Sequence, residues 1–299
     1  MKIAILGYGT VGSGVYDIIT NGKTAELKNI EVKSVFARSR DKMHLATDDY
    51  NEIIEDKEIS VVVECLGGIN PAYEFIKKAL ENKKHVVTAN KAVAAKYLDE
   101  FLALAEQNNV KFIFEASVGG GIPWLVNLER TRRVDVVKRV YGIFNGTSNY
   151  ILDNMYRNNA EFASTLKTAQ ELGYAEADPT ADVEGLDAAR KLAILASISF
   201  NRRIFFEDVS VEGITSIDTE DIKFGKEFGY NIKLLGIAKE TSQGLSLNVY
   251  PAFIPTTHPL ASVRGSYNAI YVKGNGIDDV MLYGRGAGSL PTGSSVVSD

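Results

Sequence analysis

The sequence predicts an α/β chain in two parts, a parallel sheet layered with helices followed by an α+β domain. Three observations predict it. The first third alternates short β-rich apolar runs with helical stretches, the pattern of repeated βαβ units. Its first strands are apolar almost without interruption, which suits strands covered on both faces. After about residue 122 the rhythm changes to a long β-rich stretch, helical blocks and then strands that look antiparallel.

In order, the first part offers strands at Lys2–Leu6, Glu31–Ala37, Val61–Cys65, His85–Val87 and Lys111–Glu115. Helical stretches lie between them at Thr10–Ile19, Pro71–Asn82 and Lys96–Asn108. The second part opens with Val134–Phe144, followed by helical blocks at Ser148–Asn158, Glu161–Leu172 and Asp182–Phe200. Strands then follow at Ile232–Lys239, Leu245–Tyr250, Ala269–Val272 and Asp279–Tyr283. The expected division is residues 1–125, completed by about 284–299, against residues 126–283.

At 299 residues the chain has room for two domains at the usual ~100–200 residues each. Its 45% hydrophobic and 24% charged content is that of an ordinary globular protein. A net charge of -5 with dispersed Lys and Arg argues against a nucleic-acid partner. No apolar run approaches the ~20 residues needed to span a bilayer, so no membrane association is expected. The apolar start is too short for a signal peptide. One cysteine, Cys65, excludes an internal disulfide, and His44, His85 and His258 are scattered rather than clustered. Together these features point to a cytoplasmic protein.

Gly7-Tyr8-Gly9-Thr10-Val11-Gly12 follows the first strand and opens the first helix. Gly7 allows the tight turn, Gly9 lets backbone approach a pyrophosphate, and Gly12 lets helix and strand pack closely. Thr10 and Val11 begin the helix, whose N-terminus faces the phosphates. Alone the motif is weak, but its strand–turn–helix setting predicts a bound nicotinamide dinucleotide. NAD-preferring sites carry an acid near the end of the second strand. Here that strand ends Ala37-Arg38-Ser39-Arg40, with no acid before Asp41. A guanidinium binds a 2′-phosphate bidentately, so Arg38 favours NADP over NAD; the alternative is a solvated loop arginine.

Three further segments complete a pattern. They are Val86-Val87-Thr88-Ala89-Asn90-Lys91, Asn145-Gly146-Thr147-Ser148-Asn149-Tyr150, and Gly173-Tyr174-Ala175-Glu176-Ala177-Asp178-Pro179 continuing through Asp182-Val183-Glu184-Gly185-Leu186-Asp187 to Lys191. With the glycine turn they resemble homoserine dehydrogenase over nearly the whole chain. The resemblance implies a Rossmann-type nucleotide-binding domain with an α+β substrate and dimerisation domain. It also implies interconversion of L-homoserine and L-aspartate 4-semialdehyde with NAD(P), serving threonine, methionine and isoleucine biosynthesis. By resemblance Glu176 and Asp182 bind substrate, Asp187 assists, Lys191 gives the proton to the carbonyl oxygen, and Lys91 stands beside nicotinamide and substrate. A homodimer is implied as well.

The residues carry part of this unaided. Hydride delivery to an aldehyde builds negative charge on oxygen, which a nearby cation or acid stabilises. A lysine serves as an acid more readily where burial or a second cation lowers its pKa. An amino-acid substrate needs both signs of charge around it, and Glu176, Asp182, Asp187 and Lys191 supply them. Asp187 and Lys191 could instead be an ordinary i,i+4 surface pair. Their arc is shared with Val183, Ile194, Leu195 and Ile198, however, and charges on an apolar arc need partners or a function. Lys91 has the weaker case, since a lysine at a strand end is as readily a surface charge.

Glu115-Ala116-Ser117-Val118-Gly119-Gly120-Gly121-Ile122 also matches the family. The resemblance implies a sodium ion held by Glu115, Val118, Gly120 and Ile122; a glycine-rich domain junction explains the glycines equally. The later turn Gly284-Arg285-Gly286-Ala287-Gly288 returns the chain to the first domain, with Gly286 a candidate to cap the nicotinamide end. Asn149 and Tyr150 are expected to order the domain junction, and Thr147 or Ser148 to cap the helix that follows. Family members commonly continue past Ser289–Asp299 with a docking helix, and many with a regulatory domain, so threonine feedback is not inferred.

Two other readings use the glycine turn. A thioester-forming semialdehyde dehydrogenase needs a nucleophilic cysteine, and Cys65 sits in an apolar strand context typical of a structural residue. A non-catalytic NADP(H)-binding redox sensor leaves the Glu176–Lys191 cluster without a task.

Overall fold

The computed structural model describes residues 1–39 and 43–299, and the chain divides into two compact units. The first comprises Met1–Gly121 with Ala287–Asp299, and the second Ile122–Gly286. Among the described residues no helix is long and apolar enough to cross a membrane.

In the first unit the strands are β1 (Lys2–Leu6), β2 (Glu31–Phe36), β3 (Ala46–Thr47), β4 (Ile59–Glu64), β5 (His85–Thr88) and β6 (Phe112–Ile113). The helices are α1 (Thr10–Asn21), α2 (Tyr50–Glu55), α3 (Ala72–Glu81), α4 (Lys91–Gln107) and the terminal α11 (Ser289–Ser298). The sheet runs β3-β2-β1-β4-β5-β6 with every pair parallel. The order reverses at β1, so the crevice outside the carboxyl ends of β1 and β4 is where such a sheet receives a ligand. Ile3, Ile5, Val15, Val35, Val61, Val63 and Val296 form one buried cluster, joining α1 and α11 to the sheet. Each such side chain contributes about 1.5–3 kcal/mol by leaving water.

The expected strand Lys111–Glu115 is shorter than predicted. Only Phe112–Ile113 pair with β5, and Glu115–Ser117 turns into a 3-10 helix. Conversely, α4 starts at Lys91 rather than Lys96. The Asn90 carboxamide accepts from the Ala92 and Val93 amides and caps it there, while Tyr97 (φ -122) interrupts the regular helix. That interruption separates the first turn from the stretch that reads as helical.

The second unit holds α5 (Trp124–Arg132), β7 (Val137–Ile143), α6 (Gly146–Asn158), α7 (Phe162–Glu171), α8 (Thr180–Val183) and α9 (Leu186–Phe200). Then come β8 (Ser210–Val211), α10 (Thr219–Glu227), β9 (Tyr230–Thr241), β10 (Gly244–Pro255), β11 (Tyr267–Gly274) and β12 (Asp279–Arg285). Its sheet runs β12-β11-β7-β9-β10-β8, antiparallel except where β8 pairs with β10. Helix α9 packs on β7, β9 and α5, and α6 packs on β9. What the sequence presents as one helix, Asp182–Phe200, is two. Gly185 adopts φ +78 between them, and a Cβ there would approach Val249 and Val211 at 3.1 and 3.2 Å. The left-handed conformation that glycine takes without penalty ends α8 and redirects the chain into α9.

Candidate active site

In the first unit the glycine turn has the shape the motif requires. Gly7 takes φ +96, its amide donating to the Phe36 carbonyl at 2.9 Å. A Cβ on Gly12 would lie 1.9 Å from the Gly7 oxygen, so α1 can leave β1 this closely only with glycine there. Gly9 differs, for a Cβ there would meet nothing within 4 Å. Gly9 is also the N-cap of α1, no side chain caps that helix, and its first turn carries no acid. Open space before an uncapped helix N-terminus, where Thr10 and Val11 begin the first turn, fits a dinucleotide pyrophosphate. Arg38 stands exposed just after β2. Asp41, the first acid after it, lies outside the described residues.

At the carboxyl ends of β4 and β5 lies a group of buried polar side chains centred on Glu64, which the sequence did not single out. Glu64 is fully buried and accepts from Thr88 Oγ1 at 2.5 Å and from the Leu66 amide at 2.7 Å. Thr88 Oγ1 in turn accepts from the Asn90 amide at 3.0 Å, and Asn90 Nδ2 donates to the Gly68 carbonyl at 2.6 Å. Lys91 follows directly as the first residue of α4, half-buried. Cys65, next to Glu64, is half-buried, and burial pushes its thiol well above the usual range. A thiol held protonated is a poor nucleophile, which disfavours thioester chemistry.

In the second unit the charged cluster is built on α9. Lys191 Nζ is 2.8 Å from Asp187 Oδ2, one turn earlier, and donates at 2.8 Å to the carbonyl of Phe144. Both side chains are nearly buried, at 11% and 5% exposure. The surface-pair reading therefore fails; Ile194, Leu195 and Ile198 share the helix with the pair, whereas Val183 lies on α8, before the break at Gly185. Asn145 ties in Asp182, its Nδ2 donating to Asp187 Oδ2 at 2.9 Å and to Asp182 Oδ1 at 2.6 Å. Its Oδ1 accepts from the Ser148 amide at 2.8 Å, which fixes the amide orientation. The cap of α6 is thus Asn145, not Thr147 or Ser148, whose hydroxyls donate to the carbonyls of Tyr174 and Asn145. An asparagine just before a helical run was the available cue; its second task, bridging two carboxylates distant in sequence, left no local trace.

Glu176 is exposed on the loop before α8 and is not hydrogen-bonded to this cluster. Asn149 makes its hydrogen bonds within the second unit. Its Nδ2 donates to the carbonyls of Gly265 and Tyr267 at 2.8 and 3.1 Å, while its Oδ1 accepts from the fully buried Lys233 at 3.0 Å. The Tyr150 ring packs against that of Tyr174 at a tilt of 43°, ring centres 4.9 Å apart. Gly286 has a steric reason to be glycine, since a Cβ would fall 1.7 Å from Asn268 Oδ1.

Of the residues expected to hold sodium, Glu115, Val118 and Gly120 lie in the first unit and Ile122 in the second. The Gly120 carbonyl accepts from Ser295 Oγ at 2.6 Å and the Ile122 carbonyl from the Trp124 amide at 2.8 Å. Among the described residues no group of three or more His, Cys, Asp or Glu side chains is arranged to hold a metal.

A parallel sheet with a dinucleotide turn, in a chain whose second unit holds a buried lysine and carboxylates suited to a polar carbonyl substrate, defines a nicotinamide-dependent oxidoreductase acting on an alcohol or aldehyde. The comparisons with known proteins narrow the class. Residues 7–115 match the family model "Homoserine dehydrogenase, NAD binding domain" and residues 123–299 the model "Homoserine dehydrogenase". The homoserine dehydrogenase of Synechocystis is 48% identical, across 100% of this chain and 72% of its own length. The crystal structure of the enzyme from Thiobacillus denitrificans superposes with a TM-score of 0.95 at 42% identity, covering 100% of this chain and 72% of that one. A hyperthermophilic archaeal homoserine dehydrogenase in complex with NADPH superposes at 0.85 with 26% identity, covering 100% and 95%. The chain belongs to the homoserine dehydrogenase family, and it is an NAD(P)-dependent oxidoreductase.

Proposed function

We propose that the chain transfers hydride reversibly between L-homoserine and L-aspartate 4-semialdehyde, with NADP preferred, in the synthesis of threonine, methionine and isoleucine. The observation that carries the reading is Lys191, an ammonium held in a nearly buried pocket by Asp187 and the Phe144 carbonyl. A nicotinamide dinucleotide held at the glycine turn would supply or accept the hydride. Lys191 donates the proton that the carbonyl oxygen needs as negative charge builds there, and takes it back in the alcohol-oxidising direction. Asp187 orients Lys191. Asp182 and Glu176 supply negative charge for the ammonium of the amino acid, and Asn145 holds Asp182 in place. Gly7, Gly9 and the first turn of α1 receive the pyrophosphate, and Arg38 receives the 2′-phosphate. Lys91, at the first position of α4, is assigned to the nicotinamide side.

Initial rates with L-homoserine, measured separately with NADP⁺ and NAD⁺, test substrate and cofactor together. Turnover with both, faster at low concentrations of NADP⁺, is the expected result. Absence of homoserine-dependent reduction with either nucleotide would refute the reaction.

A further inference from the structure

The Glu64 network is not used by the chemistry above, and its place in the fold gives it a use. A sheet of order β3-β2-β1-β4-β5-β6 consists of two mononucleotide-binding halves meeting between β1 and β4. The adenosine half lies over β1 and β2, where Arg38 follows the strand. The nicotinamide half lies over β4 and β5, whose carboxyl ends carry Glu64 and Thr88.

Among the described residues the groups hydrogen-bonded to Glu64 all donate to it: the Thr88 hydroxyl, the Leu66 and Gly67 amides at 2.7 and 3.4 Å, and Asn90 Nδ2 at 3.5 Å. An ionised carboxylate, which only accepts, satisfies such a set. Burial opposes that charge and pushes the carboxyl above its usual range. The Thr88 hydroxyl serves two partners: its oxygen accepts from the Asn90 amide and its hydrogen is directed to Glu64. Through these bonds one buried carboxylate connects the Leu66–Gly68 segment, the end of β5 and the cap of the helix that begins with Lys91. Gly67 and Gly68 adopt φ +77 and +70, and a Cβ on either would meet nothing within 4 Å. The segment therefore bounds open space on the nicotinamide side.

We propose that Glu64 is a positioning residue for the nicotinamide half of the cofactor, acting through Thr88, Asn90 and the Leu66–Gly68 backbone. The proposal rests on the dinucleotide assignment and predicts that the two halves of the cofactor respond differently when the network is broken. Glu64→Gln removes the carboxylate and replaces one accepting oxygen with an NH₂, which either opposes the Leu66 amide or reverses the direction of the Thr88 bond. Thr88→Val keeps the carboxylate and the side-chain size but removes the hydroxyl that links Glu64 to Asn90.

Calorimetric titration of wild type and both variants, with NADPH and separately with 2′,5′-ADP, tests it. NADH and ADP replace them if wild type prefers NAD. In both variants the dinucleotide is expected to bind at least tenfold more weakly while the adenosine fragment stays within twofold of wild type. Equal loss of both ligands, or loss of neither, would overturn the proposal. If Glu64→Gln does not fold, Thr88→Val decides alone. Failure of the reaction assignment is separate, because it appears as a wild-type protein that binds cofactor yet does not turn over homoserine.

Discussion

Lys191 and Asp187 face each other at 2.8 Å across one turn of α9, with the lysine also donating to the Phe144 carbonyl. A nearly buried ammonium held by an anion and a carbonyl keeps a fixed position, which a proton donor needs. Lys191→Met removes the proton and keeps most of the volume. The expected outcome is a fall in kcat of about 10²–10⁴, with cofactor affinity unchanged. Steady-state kinetics with homoserine, alongside a cofactor titration, check this; an unchanged kcat would remove Lys191 from the chemistry.

Gly9 and Gly12 should respond in opposite ways to one added methyl group. In Gly12→Ala the Cβ falls 1.9 Å from a backbone oxygen, so α1 must shift on β1. A loss of roughly 1–3 kcal/mol of stability is expected from such overpacking. In Gly9→Ala the methyl group enters open space, at a backbone conformation (φ -90, ψ -157) outside the left-handed region. Thermal stability should stay near wild type while dinucleotide affinity drops at least tenfold. Melting curves with and without cofactor separate the two; equal melting losses would mean that the space before α1 has no ligand role.

Arg38→Ala should raise the KM for NADPH at least tenfold, about 1.4 kcal/mol, and change that for NADH little. An equal change for both nucleotides would make Arg38 a solvated loop residue.

Lys233 links stability to pH. It is fully buried on β9, and burial lowers its pKa from 10.5 to about 8. Between those values the unfolded chain binds more protons than the folded one, so stability rises with pH across this window. Below about pH 8 the buried charge costs on the order of 3 kcal/mol relative to pH 10.5. In Lys233→Met this contribution to the slope should vanish. Urea unfolding of both proteins at pH 7, 8, 9 and 10 measures the difference; parallel pH profiles would mean that Lys233 titrates normally.

Much of this was legible in the sequence where sterics leave few options. A glycine turn after an apolar strand admits little but the geometry found at Gly7, Gly9 and Gly12, and the apolar arc around Asp187 and Lys191 implied their burial. The break at Gly185 was hidden because the flanking residues are all compatible with helix, so only the left-handed φ of one residue divides the run. Asn145 was inside a recognised segment, yet its bridge from Asp187 to Asp182 depends on three elements meeting in space. Glu64 was the hardest. An acid inside an apolar strand carries no local sign of its partners, and its donors come from residues up to 26 positions away.

Helix α11 has a consequence for how the polypeptide is made. It crosses α1 where Gly14 and Gly293 meet, so closely that a Cβ on Gly14 would lie 2.3 Å from the Ser289 carbonyl oxygen. Yet 165 residues of the second unit, Ile122 to Gly286, stand between the two parts of the first. A ribosome must deliver all of them before α1 receives its partner. The nascent nucleotide-binding unit therefore waits with the α11-facing side of α1 bare, and it is completed last although it is begun first.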